Sequence, residues 1–519
     1  MKANIKIALV LLSSSFYAQA QVSDFEVEWG TKVKTNGKNV TDIYYTGDSS
    51  SFYVLTLANS LLAESSYLEK FQGLEEVNSK ELRSNRTLNG FSRFSILELD
   101  NSLFALNLEQ NRDQISLSVQ EIDKTSLGLS GTNGMIYNFK LNDSPLIRNN
   151  KNYSVGEYKS SISDGEKKIV YAIEHPGKIR SKMTTTVKVF DNNFDLKWST
   201  KYTLPQELGL SSIDTVLVSD NGDVYILTKV WKPENEHRRR TRNYDYFIHL
   251  VTKDGLVKNH KLKLKDNYFA KIRLKISKNG DLICAGFYSQ TGYNYDGIFY
   301  VTLNSQNFSI GDQDLKKFDL DFITDGIGPI LAARVRKSAS KGKSVGFRHL
   351  DLRELILDDG GAILVAEQAY IFQSSSTDFN GNAQLQTHYH YNDIFIFRMD
   401  PQGNLLWTNR IKKKQHTVND KGTLSSYFLY KNENNLNFMF NYTEGFNNTK
   451  GREMILGIVS IDKDGNRIDG ELASFFKSSL IKNDKVVIRP KSCKAISDNE
   501  FILYALGKKY YQFIRVKVK

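Results

Sequence analysis

Residues 184–204 read TTTVKVFDNNFDLKWSTKYTL, and residues 211–230 read SSIDTVLVSDNGDVYILTKV. In both, apolar and polar residues alternate with a period of two, the pattern of a strand with one buried face. Asp191-Asn192-Asn193 and Ser219-Asp220-Asn221-Gly222-Asp223 interrupt the alternation with residues suited to the positive φ of tight hairpins. The two stretches therefore hold four short strands in succession.

The same line recurs from residue 24 to the C-terminus. Taking the strand before Trp198 as the first of a unit, its counterparts are 114–122, 245–252, 296–303, 393–400 and 453–462. The fourth strand follows Asn221-Gly222, Asn279-Gly280, Asp359-Gly360, Asn434-Asn435 or Asp498-Asn499, and reads VYILTKV, LICAGFY, AILVAEQ, LNFMFNY or FILYALG. Residues 66–110 form a weaker unit, and 114–176 another. Four short strands repeated around a ring make a β-propeller, so the expected fold is all-β, a single closed propeller. The count gives eight four-stranded blades, with seven as the runner-up because 66–110 is the least regular unit. Residues 25–58 match strands two to four of a unit, and YYQFIRVKVK (510–519) matches a first strand with nothing after it. One blade built from both termini would let the C-terminal strand close the ring and leave no open edge.

The first twenty residues carry a different signal. Lys2 and Lys6 precede a short apolar run, and Ala18-Gln19-Ala20 fits a small-x-small cleavage site. A secretory signal peptide over 1–20 is expected, with the propeller over 21–519 and the periplasm, free or in association with the outer membrane, as the destination. The apolar run is too short for an anchor, and no later stretch is apolar enough to cross a bilayer as a helix. No Cys follows the run, so a lipid anchor is not expected; Cys284 and Cys493 lie in units that are not neighbours and are read as free thiols. The formal charge of +12 becomes +10 when Lys2 and Lys6 leave with the signal. Such a surface suits anionic partners: acidic protein faces, glycans or lipopolysaccharide. An exported chain is not expected to meet nucleic acid, and a monomer is the expected state of the isolated protein.

Loop lengths pick out a working face. In a four-stranded meander the one-to-two and three-to-four turns share one face, and the remaining connections share the other. The first set is short; the second includes 176–182, 232–243, 318–346, 373–392 and 412–422. Long connections on a rigid scaffold are where binding residues concentrate. They are also basic: Lys178 and Arg180, then Arg238, Arg239, Arg240 and Arg242, then Arg334, Arg336 and Lys337 with Lys341 and Lys343, then 412–414. Guanidinium clusters suit carboxylate or phosphate groups. Solvated charge is the plainer reading of any one run; their recurrence on one face makes them the candidate binding residues.

His388-Tyr389-His390-Tyr391 forms a second candidate binding loop. Its two histidines fall on one side of an extended segment, as a pair of metal ligands would, but the spacing singles out no third ligand, Asp393 included. A surface aromatic loop, able to stack on a sugar ring, is the reading retained, and neither a metal nor a cofactor is expected. Asp462-Lys463-Asp464-Gly465-Asn466 resembles a calcium loop but has its Gly too early, at a place where every unit turns. Gly342-Lys343-Ser344 lacks the earlier Gly and the strand–loop–helix setting of a phosphate loop. No G-x-S-x-G elbow and no sialidase-type Ser-x-Asp-x-Gly-x-Thr-Trp box occur, and no catalytic residue is assigned.

The repeats over 24–519 resemble the broad superfold of secreted bacterial β-propellers, similar to WD40 and quinoprotein propellers in strand order. No WD dipeptide ends a strand and the quinoprotein tryptophan-docking motif is missing, so the resemblance is one of fold. It implies a non-catalytic periplasmic or envelope-associated propeller that binds a protein complex of the outer membrane, such as assembly or secretion machinery, through its basic loop-rich face. The competing class is a propeller that binds or cleaves carbohydrate in a central pocket. A fold alone does not choose between them.

Overall fold

The computed structural model describes residues 25–518, except 36–37, 49, 60–63, 86–90, 111–113, 141–152, 155–156, 176, 179–180, 208–209, 233–243, 359, 378–382, 444–453, 472–486 and 508. The expected signal peptide lies outside the described residues, as do Arg180, Arg238, Arg239, Arg240 and Arg242.

The described chain is all-β but for short helices, and its strands form eight sheets, each built on a four-stranded antiparallel path, and one two-stranded ribbon. The fourth is representative: Ser211–Val218, Val224–Trp231, Tyr244–Thr252 and Gly255–Lys261 pair in that order. In chain order the sheets span 38–85, 91–140, 158–207, 211–261, 268–317, 350–411 and 428–471. The eighth combines Glu500–Leu506 and Tyr510–Val518 with Phe25–Trp29 from the N-terminus. Phe25 lies opposite Val518 and Trp29 opposite Ile514, so both termini share one sheet.

The unit boundaries differ from the sequence expectation by two strands. The stretch quoted first divides between two sheets: Lys182–Asp191 and Leu196–Glu207 end the third, and Ser211–Val218 begins the fourth. Connection length caused the misreading. The short link 208–210 crosses from sheet to sheet, whereas the long connection 232–243 joins two strands that pair with each other along their full length. Likewise Phe25–Trp29 is the fourth strand of the last sheet, and Lys38–Tyr44 with Ser51–Asn59 opens the first. A shift of two strands preserves up and down, so the division into a short-turn face and a long-loop face is unchanged.

Apolar residues on both faces of the sheets form eight cores, each shared by two consecutive sheets. Phe104 and Leu117 of the second meet Tyr171 and Ile173 of the third; Tyr225 and Leu227 of the fourth meet Phe299 and Val301 of the fifth. The seventh and eighth sheets share Tyr430, Met439, Phe501 and Leu503. The eighth and first share Phe52, Phe71, Tyr504 and Phe513, with Phe513 edge-on to both Phe52 and Phe71 at 5.2 and 4.9 Å. A shared core thus joins the eighth sheet to the first as it joins consecutive sheets, a propeller-like arrangement whose inner strands are buried on both sides.

On the short-turn face, neighbouring turns bond to each other. Asn192 Nδ2 donates to Asp100 at 2.8 Å, and Gly165 N–H to Asp220 at 3.3 Å. The stretch beginning at Asp462 is a hairpin turn, as expected. Its carboxylate accepts from Asn466 Nδ2 at 2.9 Å and from the backbone N–H groups of Asn466 and Asp464, and these bonds hold the acid below its ordinary pKa. Cys284 and Cys493 are free.

Candidate functional site

The sixth sheet breaks the pattern on the long-loop face. Its middle strands, Gly361–Thr377 and Ala383–Met399, are seventeen residues each, against eight and nine in the fourth sheet. The halves nearest the core, with Leu364, Val365, Ile394 and Phe397, are buried. The outer halves stay paired, Tyr370 opposite His390 and Thr377 opposite Ala383, and so overhang the sheet as a hairpin. A short strand, Gln415–Val418, pairs with His388–Tyr391 and makes the overhang three-stranded. The segment 373–392, expected as a loop, is therefore largely strand: the alternation in AQLQTHYHY continues the ladder with no turn residue to stop it. His388, Tyr389, His390 and Tyr391 are strand residues, not loop residues.

Period-two geometry places Tyr370, Phe372, Ser374, His388, His390 and His416 on one side of the overhang. Their rings form a layered stack. Tyr370 lies 4.5 Å from His390, His390 4.3 Å from His416 and Phe372 4.5 Å from His388, all within 9° of parallel. His388 Nδ1 is 3.0 Å from His416 Nε2, and His388 Nε2 is 2.7 Å from Ser374 Oγ. His390 Nε2 is buried with no hydrogen-bond partner. Burial, then the neighbouring His416 and His388, hold His390 below the ordinary imidazole pKa. Among the described residues, no three His, Cys, Asp or Glu side chains stand arranged around one metal position.

Where the overhang meets the sheet lies a buried ionic network. Lys413 Nζ, fully buried, donates to Glu367 Oε1 at 2.6 Å, Gln415 Oε1 at 3.0 Å and the Tyr391 carbonyl at 3.1 Å. Glu367, equally buried, accepts on its other oxygen from Arg353 Nη2 and Ser426 Oγ, both at 2.8 Å. Burial pulls the Lys413 pKa down and Glu367 restores part of it. Gln415 continues the network to the seventh sheet through the Asn441 carbonyl at 2.7 Å. Each charged group here has its partners, the condition under which buried charge is tolerated. Asp393 is engaged by Arg410 at 2.6 Å and is not part of the histidine stack.

A helical insertion lies between the fifth and sixth sheets. α1 (Leu320–Thr324) is capped by Asp319, whose carboxylate accepts from Asp321 N–H. α2 (Pro329–Ser340) has no fully buried residue. Phe318, Phe322 and Phe347 seat the insertion on Phe395 and Phe397. Of the three basic candidates on α2, Arg336 is tied to Asp321 at 2.7 Å and Thr324 at 2.8 Å, a positioning role, while Arg334 and Lys337 are exposed. Lys178 is exposed on a two-stranded ribbon with Tyr153–Ser154, away from this sheet in the fold's order. Sequence reasoning missed Glu367, Arg353 and His416, and took Lys413 as part of an exposed basic run where it is buried. A charge inside the apolar run AILVAEQ was the available signal for Glu367.

The overhang and α2 also expose apolar surface: Ile330 (73% exposed), Leu385 (62%), Ile371 (59%), Leu331 (51%), Phe372 and Val418.

No protein-family model matches the chain, and no curated protein matches it significantly. Among solved structures it is similar to polysaccharide lyase Uly1, at 9% identity and a TM-score of 0.35, with 98% of this chain and 94% of that one covered. It is similar to cobalt-substituted Synechocystis apocarotenoid oxygenase at 11% identity and a TM-score of 0.32, covering 96% and 94%. A subtype N10 neuraminidase-like protein of A/little yellow-shouldered bat/Guatemala follows at 8% identity and 0.31, covering 82% and 95%. At these identities and scores the similarities carry no weight for activity.

Proposed function

We propose that the chain is an exported, closed eight-bladed β-propeller acting as a non-catalytic scaffold of the cell envelope, and that it docks an acidic protein partner through the long-loop end of its sixth sheet. One observation carries this reading: six large apolar side chains stand exposed, four on the overhang of the sixth sheet and two on α2, which also carries the exposed cations Arg334 and Lys337. Scattered apolar residues are ordinary on a surface; apolar groups gathered on a few elements, with exposed cations among them, suit a partner surface. The positive balance of the chain sets the sign of that partner.

Export and envelope location rest on the N-terminal sequence pattern. The test uses the mature protein on detergent-solubilised envelope, with Ile371→Ser/Leu385→Ser and Ile330→Ser/Leu331→Ser as comparison baits. A discrete complex recovered by the wild type and lost by both variants is the expected result. Recovery unchanged by both would place docking elsewhere, with Arg238, Arg239, Arg240 and Arg242 the next to change to Ser. No partner with any bait would overturn the scaffold reading and turn attention to glycan ligands.

A further inference from the structure

We propose that His388, His390 and His416 form a binding site for one divalent transition-metal ion of the imidazole-preferring kind, Cu²⁺, Ni²⁺ or Zn²⁺. The site lies on the three-stranded overhang and is independent of partner docking.

The backbone supplies the arrangement. Two histidines at i and i+2 of a strand share a face, and the residue directly opposite one of them on the neighbouring strand shares it too. His388 and His390 are the first two, and His416, opposite His390, is the third. Such cross-strand Cβ atoms stand about 4.5–5.5 Å apart, close enough for three imidazoles to reach a common point. The segment around 388–390 contains no third ligand because that ligand comes from the added strand Gln415–Val418.

The side chains supply two of three bonds nearly in place. Two nitrogens bound to one ion at about 2.0–2.1 Å and a right angle stand about 2.9 Å apart. His388 Nδ1 and His416 Nε2 are 3.0 Å apart. In the metal-free protein that distance is a hydrogen bond carrying one proton, which an ion would displace. Ser374 Oγ, 2.7 Å from His388 Nε2, engages the outer nitrogen and leaves Nδ1 directed inward, the role an oxygen partner plays behind many metal-bound histidines. His390 Nε2 is the buried nitrogen without a partner. Its ring, stacked on His416 at 4.3 Å, completes the set by turning about its side-chain torsions. That turn is why the three do not already surround one point.

The mature protein, free of any histidine tag and stripped with chelator, is titrated calorimetrically with Ni²⁺ and Zn²⁺. Its Cu²⁺ form is examined by electron paramagnetic resonance for nitrogen coupling. One equivalent per chain is expected, with coupling to more than one imidazole in the Cu²⁺ spectrum. His388→Ala and His416→Ala each weaken binding at least tenfold, and Ser374→Ala weakens it about tenfold. His416→Phe keeps an aromatic ring in the stack and removes the nitrogen, so it retains the wild-type melting temperature and loses the site. No stoichiometric binding by wild type, or binding unchanged in His416→Phe, overturns the proposal.

Discussion

The fourth and sixth sheets share one plan and use it differently. In the fourth, the polar pair within the sheet is neutral: Thr228 Oγ1 and His249 Nε2, both side chains fully buried, meet at 2.8 Å. Its middle strands end near Trp231 and Tyr244, with Lys229 resting on both rings at 4.4 and 3.8 Å. In the sixth, the buried polar group is a salt bridge, Lys413–Glu367, and the strands continue beyond it. The contrast teaches where a repeated fold places specificity. A neutral pair merely satisfies the core. A buried ion pair fixes one arrangement of three elements, since Glu367, Arg353 and Lys413 come from different strands or links and Ser426 from the approach to the next sheet. The network thereby anchors the base of the hairpin that overhangs the sixth sheet.

The largest effect that would break this comparison is removal of one partner of the pair. Lys413→Ala leaves Glu367 charged in the interior beside Arg353 alone, and should cost about 3–5 kcal/mol in guanidinium unfolding. The double variant Lys413→Met/Glu367→Leu removes both charges and should recover most of that loss. If the single variant costs under about 1 kcal/mol, water reaches the site and the network is not an anchor.

The fourth sheet answers to pH. Burial pushes His249 down to about 4 from its ordinary 6.5. Between those values the unfolded chain takes up a proton that the folded chain refuses, so stability falls as pH drops through that window and is fully present above it. The slope approaches about 1.4 kcal/mol per pH unit near the middle of the window. Melting temperatures from pH 7 to 4 should fall less steeply for His249→Gln than for wild type; equal slopes would show that other groups dominate acid unfolding.

Much of the fold was legible because period-two alternation and Asn/Asp/Gly turns act locally. VYILTKV and AILVAEQ declared themselves as buried strands from their own residues. The sheet boundaries were not legible, because pairing is a property of two segments: nothing within 232–243 says that the strands on either side of it pair. The site divides in the same way. His388 and His390 are visible as a pair from spacing on one strand. His416 joins them only through register, and Glu367 finds Lys413 only through the fold. The basic character of 412–414 was read as a charge run on a surface, yet Lys413 is the most buried cation of the network: in the link between Leu405–Ile411 and Gln415–Val418 it turns inward while Lys412, paired with Asp325, and Lys414 stay exposed.

The smallest effect sharpens the comparison most. If the sixth sheet's stability resides below the overhang, then changes on the outer hairpin should cost little. Ile371 and Leu385 stand more than half exposed, and replacing exposed groups normally changes stability by no more than about 0.5 kcal/mol. Ile371→Ser/Leu385→Ser should therefore unfold within about 1 kcal/mol of wild type while losing partner capture. The Lys413→Ala variant should do the reverse at temperatures where it remains folded, keeping the apolar groups but letting the hairpin base loosen. Hydrogen exchange separates the two. Amides of Ala369–Thr377 should exchange faster in Lys413→Ala and at wild-type rates in the serine variant, while those of Val224–Trp231 stay unchanged in both. Faster exchange across the fourth sheet as well would mean that the eight sheets open as one unit, and that the ionic network serves the whole structure and not the hairpin it supports.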